Sequence, residues 1–313
     1  MKTMRLLVTG GAGCLGSNLI ERYFPKGHDI CLIDNFSTGK REVVRSRTRL
    51  TVVEGSIADF DLVNRTFSDF RPTHVIHSAA AYKDPDNWTE DAATNVLGAI
   101  NVAKAAKKSG VERVVNFQTA LCYGRPSVLP IPVTHPVRPF TSYGISKTAG
   151  EAYLMQSGLP VITLRLANVC APRLAIGPIP TFYKRLRAGQ NCFCSDTVRD
   201  FLDIMDFLAL LDIVLESNRP VGTFNVSTGE GHSIRDVFCA VAKYLGLRPP
   251  DVKITSPGKD DVAQVVLDPS ETEREFGWKA QVEFEEVINN QLRWYDQYGV
   301  NEVFSHLNGP DAE

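Results

Sequence analysis

The stretch from Leu6 to Asp34, LLVTGGAGCLGSNLIERYFPKGHDICLID, limits what this chain can fold into more than any other part of it. A short apolar run, Met4 to Val8, ends at Gly10, Gly13 and Gly16, and Leu15, Leu19, Ile20 and Phe24 then recur at helical spacing. The pattern is strand, tight turn, helix. Glycines at these places let backbone approach a ligand that a Cβ would exclude, and the amides that open the helix face an anion with the helix dipole behind them. A second apolar run, Asp29 to Ile33, ends in Asp34, whose carboxylate can accept both hydroxyls of an adenosine ribose and would repel a 2′-phosphate. These residues point to a dinucleotide, NAD rather than NADP.

The rest of the N-terminal half repeats the alternation. A strand near Leu50 to Val53 leads to Glu54-Gly55-Ser56, Asp59 has the chemistry of an N-cap for a helix to Phe70, and His74 to His77 is another buried strand. This βαβ succession predicts an α/β fold, a Rossmann-like doubly wound parallel sheet. His77 reads as a packed strand-end residue, and small residues after it, Ala79 to Ala81, suit close approach of a ligand. A helix is expected from about Trp88 to Ser109, with Asn95 a polar residue among apolar neighbours, either a satisfied core amide or a brace for a catalytic loop.

The strand Arg113 to Gln118 opens into Thr119-Ala120-Leu121-Cys122-Tyr123-Gly124, and after a proline-rich loop comes Thr141-Ser142-Tyr143-Gly144-Ile145-Ser146-Lys147. With Ser142 as N-cap, Tyr143 and Lys147 lie one turn apart on one helical face. A phenol titrates near pH 10, so its use as a base near neutrality needs a shift of roughly 3 units, about 4 kcal/mol, from a nearby ammonium and a positive nicotinamide ring. Thr119 stands where it can share a substrate hydroxyl with Tyr143. The glycines Gly144 and Gly150 inside this helix each cost about 1 kcal/mol relative to alanine, and close packing would account for them.

Beyond Arg165 the pattern becomes irregular. A helix near Ile179 to Leu186, one from Asp206, a strand Thr223 to Val226, a helix Ser233 to Leu245, a strand Val265 to Leu267 and an amphipathic helix Phe284 to Tyr298 are expected. The division read from this is a dinucleotide-binding domain over residues 1–170 and a smaller α/β substrate-binding lobe over 171–313, interleaved with the first.

Composition narrows the function classes. With 43% hydrophobic and 22% charged residues in 313, the chain is ordinary globular material, and its formal charge of -2 offers no broad basic field for nucleic acid. No apolar run approaches a bilayer's thickness, and MKTMRLLVTGG enters a strand at once, which leaves no room for a signal peptide. Seven scattered cysteines read as reduced thiols in the cytoplasm, and neither they nor the six histidines show metal-ligand spacing, so no metal is expected.

With Gly10-x-x-Gly13-x-x-Gly16, Asp34, Asn95, Thr119 and Tyr143-x-x-x-Lys147 in this order, the chain resembles the extended short-chain dehydrogenase/reductases that modify nucleotide sugars. The segments TALCYGRP, PIPTFYKRL, DTVRDF and NVSTGEGHSI look more closely like the WbmG-type epimerase/dehydratases of bacterial O-antigen gene clusters. The resemblance implies tightly held NAD, a UDP-linked or similar sugar, and a homodimer formed through two helices per subunit. It makes Tyr143 the base, Lys147 its partner and Thr119 their Ser/Thr. The implied cofactor contacts are Gly10, Gly13, Cys14, Leu15, Gly16, Asp34, Asn35, Ser56, Ile57, Ala79, Ala80, Lys83, Asn95, Tyr143 and Lys147. The implied substrate contacts are Lys83, Thr119, Tyr143, Asn168 and Arg199.

Three departures bear on the reaction. Dehydratases of this kind follow the threonine with Asp-Glu and decarboxylases place a Glu two after it, whereas this chain has Ala120 and Leu121. Ser56 stands where an aspartate often meets adenine, and Gly258 stands where an arginine often binds diphosphate, with Lys259 its neighbour. An epimerase of the related 3,5 type needs a cysteine at the position of Leu121; Cys122 points to the opposite side of the strand. The expected reaction is therefore epimerisation at C4 of a UDP-hexose or UDP-hexuronate through a transient 4-keto sugar. The alternatives are dehydration or decarboxylation after the same oxidation, and a non-catalytic NAD-binding sensor.

Overall fold

A computed structural model describes residues 3–82, 84–216, 221–249, 251–258, 261–300 and 303. The first half consists of β1 (Arg5–Thr9), α1 (Cys14–Tyr23), β2 (Asp29–Asp34), β3 (Leu50–Glu54), α2 (Phe60–Phe70), β4 (His74–His77), α3 (Trp88–Asp91), α4 (Gly98–Lys108), β5 (Arg113–Thr119), α5 (Ser142–Gln156) and β6 (Val161–Leu166). β3, β2, β1, β4, β5 and β6 pair in that order, all parallel, and the strand Gly222–Val226 borders β6 to make seven. The chain thus adopts the expected doubly wound, Rossmann-like α/β fold. The order reverses between β1 and β4, so their carboxyl ends open the crevice in which such sheets bind ligands.

Local chemistry accounts for these elements. β1 and β2 are buried almost throughout, as strands covered on both faces must be. Asp59 caps α2 by accepting from the Leu62 amide at 3.0 Å. Arg22 and Lys26, at the C-terminal end of α1 and just past it, both reach Asp212 at 2.6 Å. The chain divides into two compact units, one of residues 1–122, 137–166 and 208–224, the other of 123–136, 167–207 and 225–313, so it leaves the first unit and re-enters it twice. Leu7, Ile33, Phe67, Val102 and Val114 belong to the core of the first. The second packs its own core, including Phe182, Phe238 and Leu292, from the helices Pro178–Arg187, Ile234–Tyr244 and Phe284–Tyr298.

The single helix expected over 88–109 is broken into α3, a π-helical stretch Ala92–Leu97 and α4. The wider turn carries Asn95, whose side chain is bonded elsewhere, and a Cβ on Gly150 of α5 would come 2.2 Å from the Asn95 carbonyl oxygen. Gly150 is thus the price of a close helix contact. Thr141, not Ser142, caps α5, accepting from the Gly144 amide at 3.1 Å; Ser142 is the first helical residue and donates to Asp91 at 2.6 Å. Six strands of two or three residues in the second unit, at 168–170, 193–195, 198–199, 201–203, 232–233 and 253–255, and the helix Ser270–Phe276 lie outside the sequence reading.

Candidate active site

The glycine turn is built by contact. Gly10 adopts φ +69° and a Cβ there would lie 2.7 Å from Ala79 Cα, so β1 and the end of β4 meet backbone to backbone. A Cβ on Gly16 would lie 2.3 Å from the Gly10 carbonyl oxygen, which seats α1 directly on the turn. Gly13 is the N-cap of α1, has no side-chain cap, and a Cβ there would lie 3.3 Å from the Gly10 oxygen. The amides at Cys14 and Leu15 therefore open a helix with no acidic residue in its first turn, an arrangement that suits a pyrophosphate.

Asp34 ends β2 with both oxygens anchored, Oδ2 accepting from the Ala12 amide and Oδ1 from the Phe36 amide, each at 2.8 Å. A carboxylate has about four lone-pair sites, so two remain for ribose hydroxyls. Of the two cations that follow, Lys40 and Arg41, Arg41 is paired with Glu54 and stacks on Phe36, 4.4 Å from its ring centre. Asn35 closes a turn onto the Ser37 amide at 3.1 Å. Ser56 accepts from the Ala58 amide, and the buried Ile57 packs where Gly98 has no side chain. Asn101, which sequence reading passed over, holds this turn by donating to the carbonyls of Ile57 and Ala58 at 3.0 Å.

After β4, Thr9 Oγ1 meets His77 Nδ1 at 2.9 Å and accepts from the Ala79 amide at 3.2 Å. Burial pushes His77 down to about 3, with Lys147 acting the same way, so the ring is neutral. Asn95 braces the following loop, accepting from the Ala81 amide at 2.9 Å and donating to the Ala81 carbonyl and to Ser146 Oγ at 3.0 Å. Ala79 and Ala80 are half-buried at this edge; Lys83 lies outside the described residues. Tyr82, also unforeseen, tilts against Tyr143 with ring centres 6.1 Å apart. Its one sequence signal is its place directly after the small residues of the strand end.

Thr119 ends β5 and Tyr143 and Lys147 stand on the first turns of α5. Thr119 Oγ1 accepts from the Leu121 amide at 3.2 Å. Lys147 donates to the Phe117 carbonyl at 2.7 Å, and burial pushes its ammonium down to about 8 against the opposing pull of Glu151. A displacement of this size from 10.5 corresponds to roughly 3 kcal/mol. The phenol of Tyr143 moves opposite to the expected direction: burial raises it, and Tyr82 and Asp91 raise it further. Without a further positive charge Tyr143 holds its proton, because desolvation penalises the phenolate. Cys122 is fully buried.

In the second unit Asn168 donates from both its backbone and its side chain to the Asp200 carbonyl, at 3.0 and 3.1 Å. Arg199 donates to the Val198 carbonyl at 2.7 Å and forms an ion pair with Asp261. Asp200, part of the DTVRDF segment but given no role in the sequence reading, accepts from the Thr228 hydroxyl and amide and from the Gly229 amide, which shapes the loop after the strand Gly222–Val226. A Cβ on Gly258 would meet nothing within 4 Å among the described residues, and Lys259 lies outside them. Among the described residues no cluster could hold a metal ion, and no helix is long and apolar enough to cross a membrane.

Residues 6–227 match the NAD dependent epimerase/dehydratase family. A UDP-glucose 4-epimerase of Mycolicibacterium smegmatis is 31% identical over 93% of this chain and 98% of its own length. The crystal structure of the Bordetella bronchiseptica enzyme WbmG in complex with NAD and UDP is 66% identical, with a TM-score of 0.93 over 98% of both chains. That of Thermotoga maritima UDP-glucose 4-epimerase with UDP-glucose is 28% identical, with a TM-score of 0.85 over 93% of this chain and 98% of the other. The resemblance read from the motifs is borne out.

Proposed function

Because this chain belongs to the NAD dependent epimerase/dehydratase family, we propose that it is a nucleotide-sugar epimerase that inverts C4 of a UDP-linked hexose or hexuronate. The observation that carries this reading is the grouping, in one unit, of Thr119 at the end of β5 with Tyr143 and Lys147 in the opening turns of α5. NAD, when bound, supplies the acceptor for the C4 hydride, returns it to the other face of the 4-keto sugar, and brings the positive ring that Tyr143 needs.

Gly10, Gly13, Cys14, Leu15, Gly16, Asp34 and Asn35 would hold the adenosine and pyrophosphate of NAD, with Ser56 and Ile57 bordering the adenine. Ala79 and Ala80 leave backbone room, and Asn95 keeps their loop and Ser146 in register. Tyr143 takes the proton of the C4 hydroxyl, Thr119 shares that hydroxyl, and Lys147 supplies a buried cation. Asn168 and Arg199 belong to the same reading as diphosphate contacts, Lys83 as a contact to cofactor and sugar. Ala120 and Leu121 cannot transfer protons, so the ketone is reduced again in place and neither water nor carbon dioxide leaves. The exposed apolar side chains Leu97, Ile145 and Tyr153, on or next to α4 and α5, favour a homodimer through these helices. A cytoplasmic role in polysaccharide assembly completes the proposal. Incubation of the purified protein with a panel of UDP-sugars, followed by NMR and mass spectrometry, is expected to give an epimer of unchanged mass; an enzyme-dependent loss of water or carbon dioxide overturns it.

A further inference from the structure

Gln118, Lys147, Glu151 and Arg165, exposed by 2%, 5%, 6% and 8%, form one bonded run inside the first unit. Gln118 Oε1 accepts from the Thr119 amide at 2.8 Å, which leaves its nitrogen to donate to the Lys147 carbonyl at 3.0 Å and to Glu151 Oε2 at 2.7 Å. The other carboxylate oxygen, Oε1, accepts from Arg165 at 3.0 Å. The Gln118 amide cannot turn over without losing all three of its bonds. A buried ion pair is a weak source of stability, since desolvation offsets much of its attraction, so the placement of this one matters more than its energy.

We propose that Glu151 is a positioning residue for the Tyr143 and Lys147 pair: aimed by Gln118 and Arg165, its carboxylate keeps the buried Lys147 ammonium charged and locks α5 to the end of β5 where Thr119 sits. The proposal rests on Tyr143 and Lys147 being the reacting pair. Glu151 lies one helical turn beyond Lys147, within the range where an opposite charge favours a buried cation. Among the described residues, the titratable groups that act on Lys147 are His77 from β4 and Glu151 from its own helix, with Arg165 of β6 paired to Glu151; Tyr143 stands one turn before Lys147 on α5. His77 is neutral and Asp91 of α3 acts on Tyr143, so among the described residues Glu151, shared with Arg165, is the carboxylate that favours the charged form of Lys147 against desolvation.

The test needs no substrate, so its result stands apart from that of the UDP-sugar panel. In protein carrying carbon-13-labelled lysine, the resonance lost in Lys147→Met is titrated by NMR. Glu151→Gln is expected to lower its midpoint by about one unit or more, while Glu151→Asp, which keeps the charge, leaves it near that of the parent protein. A merely structural glutamate would give the two variants the same midpoint. If Glu151→Gln fails to fold because Arg165 is left unpaired, the double variant Glu151→Gln/Arg165→Gln removes that charge and carries the same expectation. An unmoved midpoint in a folded variant overturns the proposal, as does failure of both variants to fold, which would assign the network to stability alone.

Discussion

The polar groups of the first unit and those of the second are organised differently. Thr119, Tyr143, Lys147 and Glu151 stand on a seven-residue strand and a fifteen-residue helix, and their mutual positions follow from the periods of those elements. Arg199 ends a two-residue strand and Asp200 follows it, and both are held by partners far along the chain, Asp261 and the Thr228–Gly229 turn. Their charges differ too. Lys147 spends its ammonium on a carbonyl oxygen and keeps a carboxylate one turn away, whereas the Arg199 guanidinium is already neutralised by Asp261. One unit thus buries a cation that desolvation weakens; the other holds a cation already paired with a carboxylate.

Three measurements would break or sharpen this contrast. The largest effect is expected for Tyr143→Phe, which removes the proposed proton acceptor and little contact area: turnover should fall by roughly 10²- to 10⁴-fold with NAD still bound. Activity close to that of the parent protein would move the chemistry out of the first unit. Next is Arg199→Met, for which calorimetry should show UDP binding weakened by about 1.5–3 kcal/mol, the usual worth of a hydrogen bond to a charged group. An unchanged Kd would mean that Asp261 keeps Arg199 out of the binding site altogether.

The smallest effect concerns His77. Its ordinary value is 6.5 and its folded value about 3, so between these limits the unfolded chain binds a proton that the folded protein refuses. Stability from this group is therefore complete above pH 6.5 and declines as the pH falls towards 3. Calorimetric scans at pH 7 and pH 5 should show Tm lower at pH 5, by a few degrees at roughly 2–4 °C per kcal/mol, with a smaller drop in His77→Asn. Equal drops would assign the acid sensitivity to groups outside β4.

The sequence by itself determined the sheet, the glycine turn, Asp34 and the one-turn spacing of Tyr143 and Lys147, because each is a local pattern: an apolar run, a residue without Cβ, a helical period. The helix Phe284–Tyr298 was legible to its end residues for the same reason. Tertiary structure alone decided the rest. The π-helical break at Ala92–Leu97 arises where Asn95 is bonded to Ala81 and Ser146 from outside its own helix, a demand no local window contains. Thr141 took the cap expected of Ser142 because Asp91, fifty-one positions earlier, claims the Ser142 hydroxyl. The upward shift of Tyr143 was equally out of reach. Spacing alone names the ammonium nearby, but the cost of desolvating a phenolate depends on how completely the folded chain surrounds it, and that is a property of packing in three dimensions.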